Sequence, residues 1–353
     1  MDVPKIFYAD AQVTLWLGDA LETLRQMPDG SVSCVVTSPP YYALRDYGAE
    51  GQYGLEATPG EYVDRMRAVF TEVHRVLVND GTLWLNLGDS YSSGRGALNT
   101  NFNERWHGEG NSGRRKQERG RPSRRRDRAG VAASRRAVTG LPPKNLMMMP
   151  ERLALHLQDD GWILRNKIIW RKPNAMPSSV KDRLSNCYEH LFLFVKVQKY
   201  WFDLDAIREP HKMRRQRRPN GHKSRQRLGA LPAQTHSTSQ RDELGFDGHH
   251  LGRNPGDVWS ISTKPYPDAH FATFPIDLPL RCISAGCRNG GSVLDPFSGA
   301  GTTGVAARQL GRRYTGIDLN SSYHDLAVRR LGLDLRRAAE RGSCADPSEV
   351  RAV

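Results

Sequence analysis

Apolar residues along this chain recur at a spacing of two in some stretches and of three and four in others. The two kinds alternate, and two long polar intervals break the series. "VTLWLGDA" reads as a strand ending at Asp19, and "ALETLRQM" as a short helix. "SVSCVVTS" is a second strand, and "TPGEYVDRMRAVFTEVHRVLVNDG" a longer amphipathic helix. Thr58 is placed to cap that helix, with Glu61 three residues on and Gly81 just past its end. "TLWLNLGD" is a third strand. Beyond the first polar interval come the helix "NLMMMPERLALHLQDDG" and the strands "WILRNKIIW" and "HLFLFVKV". Beyond the second come "FPIDLPLRCISAG" (helix), "SVLD" (strand), "TTGVAARQLG" (helix) and "RYTGID" (strand). Strands alternating with helices predict an α/β protein with a parallel, doubly wound sheet.

The polar intervals divide the chain. Residues 1–91 form one half of a core, 92–143 a flexible basic insertion, and 144–202 a continuation of the core. Residues 203–256 are a second polar region, 257–335 the other half of the core, and 336–353 a polar tail. The insertion is rich in Gly, Ser, Asn and Arg and holds too few apolar residues to order itself. With 38% hydrophobic and 25% charged residues and no membrane-length apolar run, the composition is that of a soluble protein. The first residues, "MDVPKIFYAD", show no secretory signal, so a cytoplasmic protein without membrane contact is expected. The five cysteines are scattered and none makes C-x-x-C, which gives neither a disulfide framework nor a metal site. The net charge of +14 does change the picture, because it favours a polyanionic partner. Much of it sits in "GRRKQERGRPSRRRDR" (113–128) and "HKMRRQRRPNGHKSRQR" (211–227), away from the glycine-rich motifs.

The strongest local signal is "LDPFSGAGTTGVAARQLGRRYTGIDLN". It runs strand, glycine loop, small-residue helix, strand, and ends in an acid, Asp318. Gly299, Gly301 and Gly304 fit G-x-G-x-x-G, which lets a bound nucleoside approach the backbone and the helix pack closely on the sheet. Asp318 is placed to accept hydrogen bonds from ribose hydroxyls. A phosphate-binding P-loop would carry Lys-Ser/Thr after its last glycine, whereas Gly304 is followed by Val-Ala-Ala. A dinucleotide stays open on these residues alone. Against it, Asp295 ahead of the glycines would repel a pyrophosphate, and a cationic cofactor such as S-adenosylmethionine suits that carboxylate better.

A second motif, "TSPPYY", follows the strand "VSCVV". Taken with the glycine loop, it resembles the amino-group DNA methyltransferases, which move a methyl group from S-adenosylmethionine to cytosine N4 or adenine N6. Ser38-Pro39-Pro40-Tyr41 matches their catalytic motif, and Asp295 to Thr303, "DPFSGAGTT", their cofactor loop without departure. The catalytic motif precedes the cofactor loop, the circularly permuted order called β-type. The resemblance covers residues 12–91, 144–197 and 257–330. It implies a doubly wound, Rossmann-like S-adenosylmethionine-dependent methyltransferase fold, here with basic insertions. It further implies Ser38, Pro39, Pro40 and Tyr41 as catalytic residues. Asp295, Pro296, Phe297, Gly299, Gly301, Thr302, Thr303 and Asp318 would hold the cofactor. Phe274 and Pro275 would border its methionine end, and Asp19 its adenine amino group. Asp318 stands where the family often has Glu.

The resemblance gives "TSPPYY" a chemistry. The lone pair of an exocyclic amino group is conjugated into the base. Acceptors on its N–H groups, here Ser38 Oγ and the Pro39 carbonyl, localise it on nitrogen. Tyr41 offers a ring on which a base extruded from duplex DNA can stack. Methylation at carbon 5 would need a cysteine nucleophile in this loop, and Cys34 lies inside the strand instead. Ser at position 38, where adenine enzymes of this kind usually have Asp or Asn, favours cytosine N4 over adenine N6. The expected partner is double-stranded DNA in a bacterial or phage-infected cell, with a cognate restriction endonuclease as a further one. Residues 203–256 occupy the place of the target-recognition region, and 113–128 suit sequence-independent phosphate attraction. The competing readings are a dinucleotide-dependent oxidoreductase and a DNA-binding protein without catalysis.

Overall fold

In a computed structural model, residues 3–46, 48–92, 141–211, 249–264 and 274–334 are described. They build a nine-stranded mixed sheet with helices on both faces. The strands are β1 (Lys5–Ala9), β2 (Val13–Leu17), β3 (Val32–Thr37), β4 (Leu77–Leu87), β5 (Ile163–Arg171), β6 (Tyr188–Val195), β7 (Val258–Ser260), β8 (Ser292–Asp295) and β9 (Arg313–Asp318). The helices are α1 (Ala20–Gln26), α2 (Pro59–Val76), α3 (Met149–Asp159), α4 (Asp277–Gly286), α5 (Thr302–Gln309) and α6 (Ser321–Leu331). Across the sheet the order is β1-β2-β9-β8-β3-β4-β6-β5-β7.

The double winding follows from strand alternation. Val35, Leu83, Leu85, Phe192 and Phe194 face one core with Leu24, Met66, Phe70 and Leu157 of α1, α2 and α3. Their neighbours Cys34, Val36, Trp84, Leu191 and Leu193 face the opposite core with Ile283, Ala306 and Val328 of α4, α5 and α6. A period of two therefore loads both faces, as a doubly covered sheet requires.

The sheet is not wholly parallel. β1 pairs antiparallel with β2, and β6 pairs antiparallel with both β4 and β5. Residues 172–187 join β5 to β6 without a crossover helix, so β6 must reverse direction, and it inserts between β4 and β5. β1, β7 and α6 are additions that the apolar pattern did not mark.

The long helix starts as the sequence predicts, with the Glu61 amide donating to Thr58 Oγ1 at 3.1 Å. It ends four residues early. Leu77 is already extended, and 77–87 form β4. Gly81 is thus a strand residue and not a helix stop. A Cβ there would lie 2.8 Å from the Ser33 carbonyl oxygen, so β4 passes β3 too closely for a side chain. The Arg75 guanidinium, donating to the Leu24 and Met27 carbonyls, locks the end of α2 onto the end of α1. Met147 and Met149 fill core while Met148 is exposed. Among the described residues no helix is long and apolar enough to cross a membrane.

Candidate active site

β2, β9, β8, β3 and β4 run parallel, so their carboxyl ends share one edge. Asp19, Asp318, Asp295, Ser38 and the segment 86–89 all follow those ends. From β8 the chain winds outward to β9, and from β3 outward to β4, which makes the β8/β3 junction the switch point where α/β sheets hold ligands. The two sequence motifs meet there.

Each glycine of the loop has its own reason. Gly299 (φ 50°) has open space where a Cβ would stand, the cradle that a closely approaching cofactor needs. Gly301 (φ 72°) begins α5, and a Cβ would meet Ala327 Cβ at 2.9 Å. At Gly304 it would strike the Tyr314 ring at 2.5 Å, so α5 can pack on β9 only without a side chain there. Asp318 accepts from the Gly299 amide and the Asn320 amide, both at 2.8 Å. Burial, only partly offset by these bonds, raises its carboxyl to about 6.

The Asp295 carboxylate is used inside the protein. It is 2% exposed and accepts from Thr37 Oγ1 (2.7 Å), Thr303 Oγ1 (2.7 Å) and the Phe297 amide (3.1 Å). Burial raises its carboxyl to about 6. The free charge that set Asp295 against a pyrophosphate is therefore replaced by a buried junction between β3 and the glycine loop. Thr303 faces the same junction, with the Val36 carbonyl at 3.3 Å. Thr302 Oγ1 and the Ala300 carbonyl both accept from Arg330. Pro296 is buried and Phe297 half-buried; Phe274 and Pro275 lead into α4.

Asp19 caps α1, accepting from the Glu22 amide at 3.1 Å, and burial, with the nearby Asp19 carboxylate, pushes the Tyr53 phenol up. The Tyr53 ring meets Phe297 edge-on at 5.5 Å, and Arg65 covers it at 4.3 Å. Tyr53 thus stands between Asp19 and the glycine loop. Its position in "GQYGLE" carries no motif that would mark it in the sequence.

In the loop after β3, Pro39 is buried and Ser38 half-buried. The Pro40 carbonyl accepts from the Tyr62 hydroxyl at 2.9 Å, which holds the loop against α2. Tyr41 lies over Gly88, where a Cβ would reach 2.6 Å from its ring. Its hydroxyl contacts Glu189 Oε2 (2.7 Å), Asn86 Oδ1 (3.2 Å) and Ser38 Oγ (3.3 Å). Glu189 in turn pairs with Lys172. Asn86 and Glu189 sit in strands read as core, and only their polarity at a strand end hinted at more. Trp170 is core, with its indole N–H on the Ile261 carbonyl. Cys34 is fully buried, and burial pushes its thiol well up, out of range for a nucleophile.

A sequence model of the DNA methylase family matches residues 32–329. The chain belongs to the N6/N4 DNA methylases. Among curated relatives, the type II methyltransferase M.XycI of Xanthomonas campestris pv. cyanopsidis is 44% identical over 318 residues, covering 90% of this chain and 87% of its own. M.Cfr9I of Citrobacter freundii is 42% identical with the same coverage, and M.SmaI of Serratia marcescens 40% over 89% of each. In fold, the methylase is similar to the cytosine-N4-specific PvuII DNA methyltransferase (TM-score 0.61, 19% identity, 96% of this chain and 93% of that one). It is also similar to a DNA modification methylase from Thermus thermophilus complexed with S-adenosyl-L-methionine (TM-score 0.51, 23% identity, 93% and 94%). The methylase uses S-adenosylmethionine, and the open cradle at Gly299 beside Asp318 fits such a group. The stretches 113–128 and 212–227, expected to meet DNA, lie outside the described residues.

Proposed function

We propose that this methylase modifies the exocyclic N4 of a cytosine extruded from double-stranded DNA, as the modification partner of a type II restriction endonuclease. The observation that carries the reading is Ser38 at the end of β3, at the junction where the cofactor loop begins. When bound, S-adenosylmethionine supplies an electrophilic methyl group. Ser38 Oγ and the Pro39 carbonyl accept from the two N–H bonds of the amino group and leave its lone pair directed at that methyl. No donor among the described residues occupies the Pro39 carbonyl, while Tyr62 holds the next one. Asp318 accepts from the ribose, Gly299 admits the nucleoside, and Asp19 with Tyr53 shapes the adenine end. Asp295 and Thr303 act at one remove, by holding the loop. The three relatives, all named as type II methyltransferases, support the restriction–modification setting.

Nucleoside mass spectrometry on DNA from cells expressing the protein tests the base. N4-methylcytosine is expected, and its loss with Ser38→Ala. N6-methyladenine alone would overturn the base while leaving the site standing.

A further inference from the structure

A serine hydroxyl is ambivalent, since it can donate or accept. The proposed role of Ser38 needs an acceptor, so something must commit its proton elsewhere. The surroundings of Tyr41 do this. Its hydroxyl carries one proton and faces two acceptors, Glu189 Oε2 at 2.7 Å and Asn86 Oδ1 at 3.2 Å. The Asn86 amide is not free to turn over, because its Nδ2 donates to the His190 carbonyl at 3.0 Å. Glu189 takes Lys172 on Oε1 and faces Tyr41 with Oε2, so both of its oxygens act as acceptors. Lys172 is itself fixed, 4.4 Å over the Trp170 ring and bonded through its amide to the Cys187 carbonyl. Tyr41 must therefore donate toward Glu189, and its contact with Ser38 is satisfied only if Ser38 donates. The Ser38 proton then points away from the base, and its lone pairs remain.

We infer that Glu189 is a positioning residue for methyl transfer, which sets the direction of the chain Ser38–Tyr41–Glu189 and makes the Ser38 hydroxyl an obligate acceptor for the substrate amino group. The inference rests on the reading of Ser38 given above and holds for either base. A carboxylate at position 38 would accept without help; a serine depends on this orientation. Glu189→Gln keeps the shape but presents an amide. With its oxygen on Lys172, its NH₂ donates to Tyr41, whose own proton is left to be shared between the longer contacts to Asn86 Oδ1 at 3.2 Å and Ser38 Oγ at 3.3 Å, so the direction of the chain is no longer fixed.

Single-turnover methylation at saturating S-adenosylmethionine and DNA tests this, using Glu189→Gln, Tyr41→Phe and the double variant. Each single variant should slow transfer by roughly 10- to 100-fold, the range of groups that orient a reacting neighbour. Calorimetric affinity for S-adenosylmethionine and the DNA dissociation constant should stay within about twofold of wild type, a split that general loosening of the loop would not give. The double variant should be no slower than the slower single one, because both cut one chain. A wild-type rate in Glu189→Gln, or losses that multiply in the double variant, overturns the inference. If Glu189→Gln also loses cofactor binding, Tyr41→Phe, which keeps the ring, decides alone by the same criteria. A fully active Ser38→Ala would instead bring down the reading of Ser38 itself.

Discussion

The hydroxyl of Thr37 donates to Asp295 Oδ1 at 2.7 Å, joining residues 258 positions apart in sequence. Thr37 ends β3, ahead of Ser38–Tyr41, and Asp295 ends β8, ahead of the glycine loop. With Thr303 on the other oxygen, the carboxylate ties the loop after β3 to the glycine loop. Thr37→Val removes that hydroxyl at nearly constant volume and leaves a buried carboxylate short of a donor. Denaturant unfolding should show a loss of about 1.5–3 kcal/mol, the usual worth of a hydrogen bond to a charged group. An unchanged midpoint would show that the junction carries no strain or stability.

Asp295 and Asp318 are both raised by burial to about 6, above the value of 3.8 they have when unfolded. The folded chain therefore holds protons that the unfolded chain releases. The stability tied to these groups is complete below about pH 4 and is lost as pH rises through about 6. The role proposed for Asp318, accepting from the ribose hydroxyls, makes cofactor binding run the other way. Calorimetry should show S-adenosylmethionine affinity rising from about pH 5 to pH 7, and Asp318→Asn should flatten the rise. A wild-type profile that is flat through pH 6 would contradict this assignment.

Gly299 and Gly301 should respond differently to alanine. Both have positive φ, which costs an alanine roughly 1–2 kcal/mol. Only at Gly301 does the new methyl strike protein, 2.9 Å from Ala327 Cβ. Gly299→Ala should lose no more stability than that backbone cost yet bind S-adenosylmethionine about tenfold or more weakly, roughly 1.4 kcal/mol. Gly301→Ala should lower both stability and affinity. Equal affinity in Gly299→Ala and wild type would mean that the cradle does not face the cofactor.

The arginine cluster at 113–128 makes a prediction from charge alone. Replacing its arginines by glutamine should flatten the dependence of DNA affinity on salt, because fewer counterions are released. The methylated site should not move, since phosphate contacts carry no sequence information. An unchanged slope of log affinity against log salt would remove this stretch from the DNA contact.

The sequence by itself determined the alternation of strands and helices, the glycine loop, the Ser38–Tyr41 motif and the order that marks the permutation. These are local properties: a period of two, a cap at Thr58, a glycine where φ is positive, a run of prolines where a strand stops. It also carried the family. What it did not carry depends on which strand lies beside which. Gly81 looked like a helix stop because nothing local shows that β4 must pass within contact of β3. Asp295 looked like a free charge because Thr37 and Thr303 reach it only once β3 and β8 are neighbours. Glu189, Asn86 and Tyr53 sit in no motif, and they acquire roles when antiparallel β6 and the loop after Tyr42 bring them to Tyr41 and Asp19. A hydroxyl or carboxylate in a linear pattern states only what it can donate or accept. The tertiary structure decided which partner takes that capacity, and so which groups remain for the substrate.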